Sequence, residues 1–219
     1  MEKMPYQARF DAEPLPAPVR RTAAASEWRG GLPRLAGGLV TLRELRTSDA
    51  PALYAALTSE QVARFISPPP STVEGFERFI MWTHRQRAAG QYVCYAIVPR
   101  ASDVAVGLFQ VRSLEPAFGT AEWGFALAEE YWGSGVFVDG AKLMVSFAFD
   151  VLGVHRLEAR AALKNGRGNG ALRKLGARQE GVLRQSFLRD GRYLDQALWT
   201  ILAEEWREAT ADWGPPIVH

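Results

Sequence analysis

The chain has 219 residues, 47% hydrophobic, 23% charged and 11% aromatic, which is the size and composition of one globular domain with an appendage. Its 26 Lys+Arg against 24 Asp+Glu leave a charge of +2 with both signs mixed along the sequence, so it lacks the footprint of a dedicated nucleic-acid binder. One cysteine, Cys94, excludes an internal disulfide framework, and three scattered histidines beside one thiol do not make a metal site. No apolar stretch approaches the roughly 20 residues a bilayer crossing needs, and no signal-peptide core is present, so a cytoplasmic protein with no membrane partner is expected.

Residues 1–36 carry five of the 13 prolines and the run Thr22-Ala-Ala-Ala-Ser26, which predicts an extended N-terminal arm. A domain over 37–209 and a C-terminal tail over 210–219 follow. Trp28, Leu32 and Leu35 are the positions suited to pin the arm to the body or to a second copy, which makes a homodimer a candidate assembly. Leu39 to Leu45 alternates apolar and polar residues as a half-buried strand does. Ser48-Asp-Ala-Pro51 predicts a helix capped by Ser48 and running to about Ser59. Ser67-Pro-Pro-Pro-Ser71 breaks the chain, and Thr72 opens a second helix with Phe76, Phe79, Ile80 and Thr83 on one face, closed by Gly90. Three strands, over 92–98, 104–112 and 121–127, are expected to form an antiparallel meander. A helix over 136–152 places Phe137, Ala141, Met144, Val145 and Ala148 at helical spacing and ends at Gly153. A strand over 156–163, a short helix over 168–175 and a hairpin of 182–188 with 193–203 around Asp190-Gly191 complete an α/β sheet protein.

The stretch richest in chemistry is Ala121-Glu-Trp-Gly-Phe-Ala-Leu127, then Tyr131-Trp-Gly-Ser-Gly-Val136 and a long helix. The pattern reads as a strand, a glycine turn and a helix N-terminus. The first N–H groups of a helix have no intrahelical partner and sit at the positive end of its dipole, so they can hold a phosphate where no side chain blocks the approach. A dinucleotide fingerprint would need a third glycine where Val138 stands, and a phosphate loop of the GxxxxGK type would need its lysine one residue before Lys142. A meander rather than a βαβ unit precedes the turn, which counts against both. A tight strand-to-helix turn with no ligand is the bland alternative. Trp123, Trp199 and Trp206 read as core, Cys94 as a buried small hydrophobe, and His155 with Arg156 as structural.

Over roughly residues 39–207 the sequence resembles the GNAT superfamily of acyl-CoA-dependent N-acetyltransferases, in the branch of the ribosomal-protein alanine acetyltransferases. The resemblance is carried by Leu42-Arg-Glu-Leu-Arg with Ser48-Asp-Ala, Ala121-Glu-Trp-Gly-Phe, Tyr131-Trp-Gly-Ser-Gly and Leu152-Gly-Val-His-Arg-Leu-Glu-Ala159. Asn165 with Leu172-Arg-Lys-Leu-Gly-Ala177, Gly181-Val-Leu-Arg184 and Leu202-Ala-Glu-Glu-Trp206 continue it. It implies a mixed, mostly antiparallel central sheet with flanking helices and splayed fourth and fifth strands. It implies acetyl-CoA as co-substrate and an amine acceptor, either a protein N-terminus or a small molecule. The family's pyrophosphate pattern falls on Trp132, Gly133, Ser134, Gly135, Val136 and Phe137, with Phe137 at a position usually small, so its ring must turn away for the amides to serve. Strand-end amides over Phe125, Ala126 and Leu127 would polarise the thioester, and Asn165 would hold the pantetheine or merely cap a helix. Glu122 is the candidate base; the alternatives are a solvent-facing carboxylate or one paired with an arginine such as Arg112. Relatives often carry a serine and a tyrosine where this chain has Gly168 and Leu172, which leaves the general acid unassigned. Trp82 and the loop over 65–71 are placed for an acceptor pocket. A non-catalytic acyl-CoA-binding or sensory domain is the alternative function.

Overall fold

A computed structural model describes residues 27–100, 102–211 and 217–218. Most of the predicted arm, and residues 212–216 and 219 of the tail, lie outside them. Among the described residues nine strands form one sheet in the order β7-β8-β6-β5-β4-β3-β2-β1-β9. They are β1 (Leu35–Ala36), β2 (Val40–Glu44), β3 (Tyr92–Pro99), β4 (Gly107–Ser113), β5 (Thr120–Leu127), β6 (Arg156–Ala162), β7 (Arg178–Arg189), β8 (Arg192–Leu202) and β9 (Ile217–Val218). Every neighbouring pair is antiparallel except β5 with β6. The mixed, mostly antiparallel architecture is therefore as expected. Among the described residues no helix is long and apolar enough to cross a membrane.

Among the described residues six α-helices flank the sheet: α1 (Ala50–Leu57), α2 (Glu60–Ala63), α3 (Val73–Ala88), α4 (Val136–Asp150), α5 (Gly166–Lys174) and α6 (Ala203–Ala209). Strand β3 shows how they do so. Its side chains alternate, with Val93, Tyr95 and Ile97 joining the core under α4, and Cys94, Ala96 and Val98 joining the one under α1 and α3. Burial on both faces makes this strand read as a continuous apolar run. Cys94 is 3% exposed, and burial pushes its thiol pKa up, so it is an inert filler.

The arm's C-terminal part docks. Trp28 is buried with its ring edge-on to Phe118 at 5.8 Å, and β1 pairs with β2. Three local expectations are corrected. Ser48 is not the cap of α1; it sits inside a 3₁₀ turn, and the Asp49 carboxylate accepts the Arg46 N–H at 2.8 Å. The first helix does not run to Ser59: it ends at Leu57, and Ser59 caps the separate α2 by accepting the Val62 N–H. The last strand stops at Leu202 because Ala203 to Ala209 turns helical and buries Trp206.

A polar tie holds the β6–β8 half of the sheet together. Arg156 on β6 donates twice to Glu180 on β7, at 2.9 and 2.6 Å, and Thr200 on β8 donates to the same carboxylate at 2.7 Å. These hydrogen bonds, chiefly that from Arg156, hold the Glu180 carboxyl down at about 2 from an ordinary 4.5. A folded value below the unfolded one means stability present above the ordinary value and lost as pH falls toward the folded one. Glu180→Gln is accordingly expected to flatten the dependence of Tm on pH between about 5 and about 2.5. An acid limb unchanged in the variant would show that the tie contributes nothing.

Candidate active site

The parallel pairing of β5 and β6 is short. It covers Thr120↔Arg156, Ala121↔Leu157 and Glu122↔Glu158, and then stops, although both strands continue. Beyond it β5 stays paired to β4 through Leu127, and β6 to β8 through Ala162, so the sheet opens as a wedge. The two strands that part are the predicted fourth and fifth.

Backbone direction alternates along β5. Ala128 donates to Val106 on the β4 side, and Gly119 accepts from His155 on the β6 side. By that alternation Trp123, Phe125 and Leu127 turn their N–H and C=O groups toward the wedge, while the Ala126 amide is spent on β4. The Leu127 carbonyl is taken by the Trp132 indole N–H at 3.0 Å. Phe125 therefore offers both an unspent donor and an unspent acceptor in the gap, as a sheet edge does.

The turn after β5 delivers the chain to α4. Gly133 and Gly135 have φ of +76° and +88°, the left-handed region that disfavours a side chain. A Cβ at Gly135 would also meet Leu39 Cδ1 at 3.1 Å. Ser134 folds back to donate to the Tyr131 carbonyl at 2.6 Å. The Val136 amide is taken by Ser134 Oγ at 3.4 Å, and the first α4 amide to bond back to the main chain is that of Asp139, to Gly135 at 3.1 Å. Of the predicted helix-end amides, that of Val136 is therefore spent, and those of Phe137 and Val138 remain at the open end. Phe137 does not close the site. Its ring packs on Phe125 at 4.5 Å and Phe109 at 5.8 Å between centroids, on the core side of the wedge.

Two cavities meet at the wedge. One, of about 800 Å³, is bounded by Gly133, Gly135, Phe137 and Val138 at the helix end and by Leu127 and Trp132. Its charged lining residues, among those described, are Arg64, Arg167 and Lys174, all cations. Arg167 lies 3.6 Å over the Trp132 ring, which orients its guanidinium across the turn. The other cavity, of about 750 Å³, lies under the loop 65–70 and carries Glu122, Gln110 and Tyr92. Phe125, Ala126, Asn165 and Gly168 border both.

Glu122 stands between two guanidiniums, 2.5 Å from Arg112 on β4 and 3.8 Å from Arg160 on β6. Asn165 does cap α5, accepting the Gly168 N–H at 2.9 Å, from a position that borders both cavities. A Cβ at Gly168 would come within 2.6 Å of that side-chain amide, so a side chain there would press on the cap. Leu172 is buried, lines the second cavity and offers no proton. Tyr92 donates to Gln110 Oε1, and burial first, then Cys94, drives its hydroxyl pKa far up, so it stays protonated. Trp82 is not in the acceptor cavity; it packs on Tyr92 at 4.9 Å and Phe79 at 6.1 Å. Arg64, Arg160, Arg167 and Lys174 were not legible as site residues from sequence. The arginine inside Asn165-Gly-Arg-Gly-Asn-Gly170 was the available signal.

The comparisons with known proteins agree with this geometry. The family model described as "Acetyltransferase (GNAT) domain" matches residues 40–178. The uncharacterized N-acetyltransferase YoaA of Bacillus subtilis (strain 168) is 27% identical over 164 residues, covering 74% of this chain and 92% of its own. A GCN5-related N-acetyltransferase from Brucella melitensis superposes with a TM-score of 0.69 at 26% identity, covering 83% of this chain and 88% of its own. Mycobacterium smegmatis RimJ in complex with CoA-disulfide shares the fold, with a TM-score of 0.72 at 22% identity over 84% of this chain and 94% of its own. A family match over most of the chain, on a sheet that parts where an acyl donor would enter, leads to one conclusion: the chain belongs to the GNAT acetyltransferase family and is an N-acetyltransferase.

Proposed function

We propose that the chain transfers the acetyl group of acetyl-CoA to a primary amine, a protein N-terminal α-amine or a small amine, as in the ribosomal-protein acetyltransferase branch, and that it does so in the cytoplasm. One observation carries this reading: the interrupted β5–β6 pairing joins a cavity whose charged walls are all cationic to one that holds a carboxylate. The helix-end amides of Phe137 and Val138, with Arg64, Arg167 and Lys174, suit the phosphates of CoA. The outward N–H and C=O of Phe125 suit the amide groups of the pantetheine arm, and the Leu127 N–H suits the thioester oxygen as charge gathers on it.

In the second cavity Glu122 is the group to receive the proton that an ammonium must lose before it can attack, directly or through a water. The amine nitrogen then bonds to the acyl carbon as the carbon–sulfur bond breaks, and its surplus proton ends on the departing thiolate. At pH 7 an α-amine with an unperturbed pKa of about 7.8 is roughly one-seventh unprotonated, whereas a lysine near 10.4 is less than about one part in a thousand. A single carboxylate suits the first.

The test is a thiol-release assay with acetyl-CoA against N-terminal peptides, amino acids, polyamines and aminoglycosides, with the acetylated product identified by mass. Release coupled to acetylation is expected; thiol release without any acetylated amine would refute the reading. Arg167→Ala is expected to raise the Kd for CoA about tenfold, and that difference should shrink in high salt. An equal loss at all ionic strengths would mean that Arg167 acts through packing on Trp132.

A further inference from the structure

The acceptor cavity has a charge pattern that selects among amines. Among its described lining residues the charged ones are Arg112, Glu122 and Arg160, one acid between two bases. Glu122 cannot neutralise both guanidiniums, so the wall carries a surplus positive charge. Arg112 and Arg160 side chains keep 57% and 38% of their exposure, so each still has donors to give. The uncharged lining is mixed: Phe65, Ile66, Phe76, Phe79 and Leu108 give it an apolar, aromatic side, and Ser67, Tyr92, Gln110, Asn165 and Gln196 are polar. Its size is that of a small-molecule site.

We infer that the acceptor is a free α-amino acid with an apolar side chain, an inference that rests on the acetyl-transfer reading above. A zwitterion carries its two charges on adjacent carbons, and the wall offers the two complementary charges side by side. The ammonium faces Glu122, the carboxylate takes the guanidinium donors that Glu122 leaves over, and the side chain enters the aromatic cup. A protein N-terminus brings the ammonium without the carboxylate. A polyamine or aminoglycoside adds positive charge to a wall already in surplus.

The experiment compares kcat/KM of the full chain, at saturating acetyl-CoA, for L-phenylalanine, L-leucine, L-phenylalaninamide, phenethylamine, an alanyl peptide and spermidine. The free acid is expected to exceed its amide by about tenfold or more, mainly through KM. At pH 7, where the assay is run, the amide has the larger fraction of free amine, so amine basicity cannot produce that order. Arg112→Gln and Arg160→Gln are expected to bring the ratio of acid to amide to within about threefold of unity, a ratio that general loss of fold would not move. A better rate with the amide, the peptide or spermidine overturns this inference alone. So does a ratio that survives both arginine changes. Acetylation of no amine at all overturns the parent reading and this one with it.

Discussion

Glu122→Gln is expected to lower kcat/KM at neutral pH by about 100-fold or more, with the deficit closing as pH rises past the pKa of the acceptor amine. The sign follows from who holds the proton. Below that pKa most of the amine is ammonium, and each turnover needs an acceptor for one proton; above it the amine arrives unprotonated and the carboxylate is dispensable. Glu122 lines the acceptor cavity from β5, opposite Arg112 in the ladder. Its two arginine partners keep it aimed, so glutamine preserves the shape and some hydrogen bonding while removing the base. A pH–rate profile of both proteins decides the matter. An unchanged rate at neutral pH, or a deficit of equal size at every pH, would take Glu122 out of this role.

The second large effect concerns stability. Asp49→Ala is expected to cost about 3 to 5 kcal/mol, on the order of 10 °C in Tm for a domain of this size. Arg43 and Asp49 form a two-pronged pair at 2.7 and 2.8 Å with side chains 3% and 6% exposed. Removing the carboxylate leaves a buried guanidinium with the exposed Asp103 as its counter-charge and the Glu44 and Asp103 carbonyls as acceptors, and the Arg46 N–H loses its acceptor too. The pair joins β2 to the start of α1, whose last residue, Leu57, lines the acceptor cavity, so acceptor KM should rise with the loss of Tm. The double change Arg43→Met with Asp49→Leu is expected to recover most of the stability, because an apolar pair of similar volume carries no desolvation cost. A drop under about 1 kcal/mol for Asp49→Ala would show that solvent reaches Arg43 more readily than its burial suggests.

What was legible in the sequence followed the physics of each feature. Helix α3 announced itself through Thr72, the face of Phe76, Ile80 and Thr83, and a left-handed Gly90, all local signals. The β5–turn–α4 unit did so through glycines that only a positive φ requires. Two-residue β1 had no pattern of its own, since its pairing is a tertiary event around Trp28 and Leu35. Helix α6 was hidden because Ala203-Glu-Glu-Trp-Arg-Glu-Ala209 is short and mostly charged, with Ala203 and Trp206 its buried residues, too few to show a helical period. Within the site, Glu122 and the helix end could be found because they adjoin one motif. The cationic wall could not: Arg64 lies on the far side of the sheet's sequence from Arg167 and Lys174, and only folding brings them to one cavity. The ring of Phe137, the feature most at odds with its relatives' small residue, is accommodated by Phe109 and Phe125, whose place beside it follows from strand register rather than spacing.

The most direct test of the account is calorimetric titration of the full chain with CoA, beside the same titration of Gly135→Val. The account predicts saturable uptake of one CoA per chain by the first. It predicts uptake at least about tenfold weaker by the second, because a side chain at φ of +88° both strains the turn and pushes toward Leu39 at the mouth of the helix. No heat of binding in the wild-type chain, or equal affinity in the two, would contradict the claim that the helix end beside the parted strands grips the coenzyme.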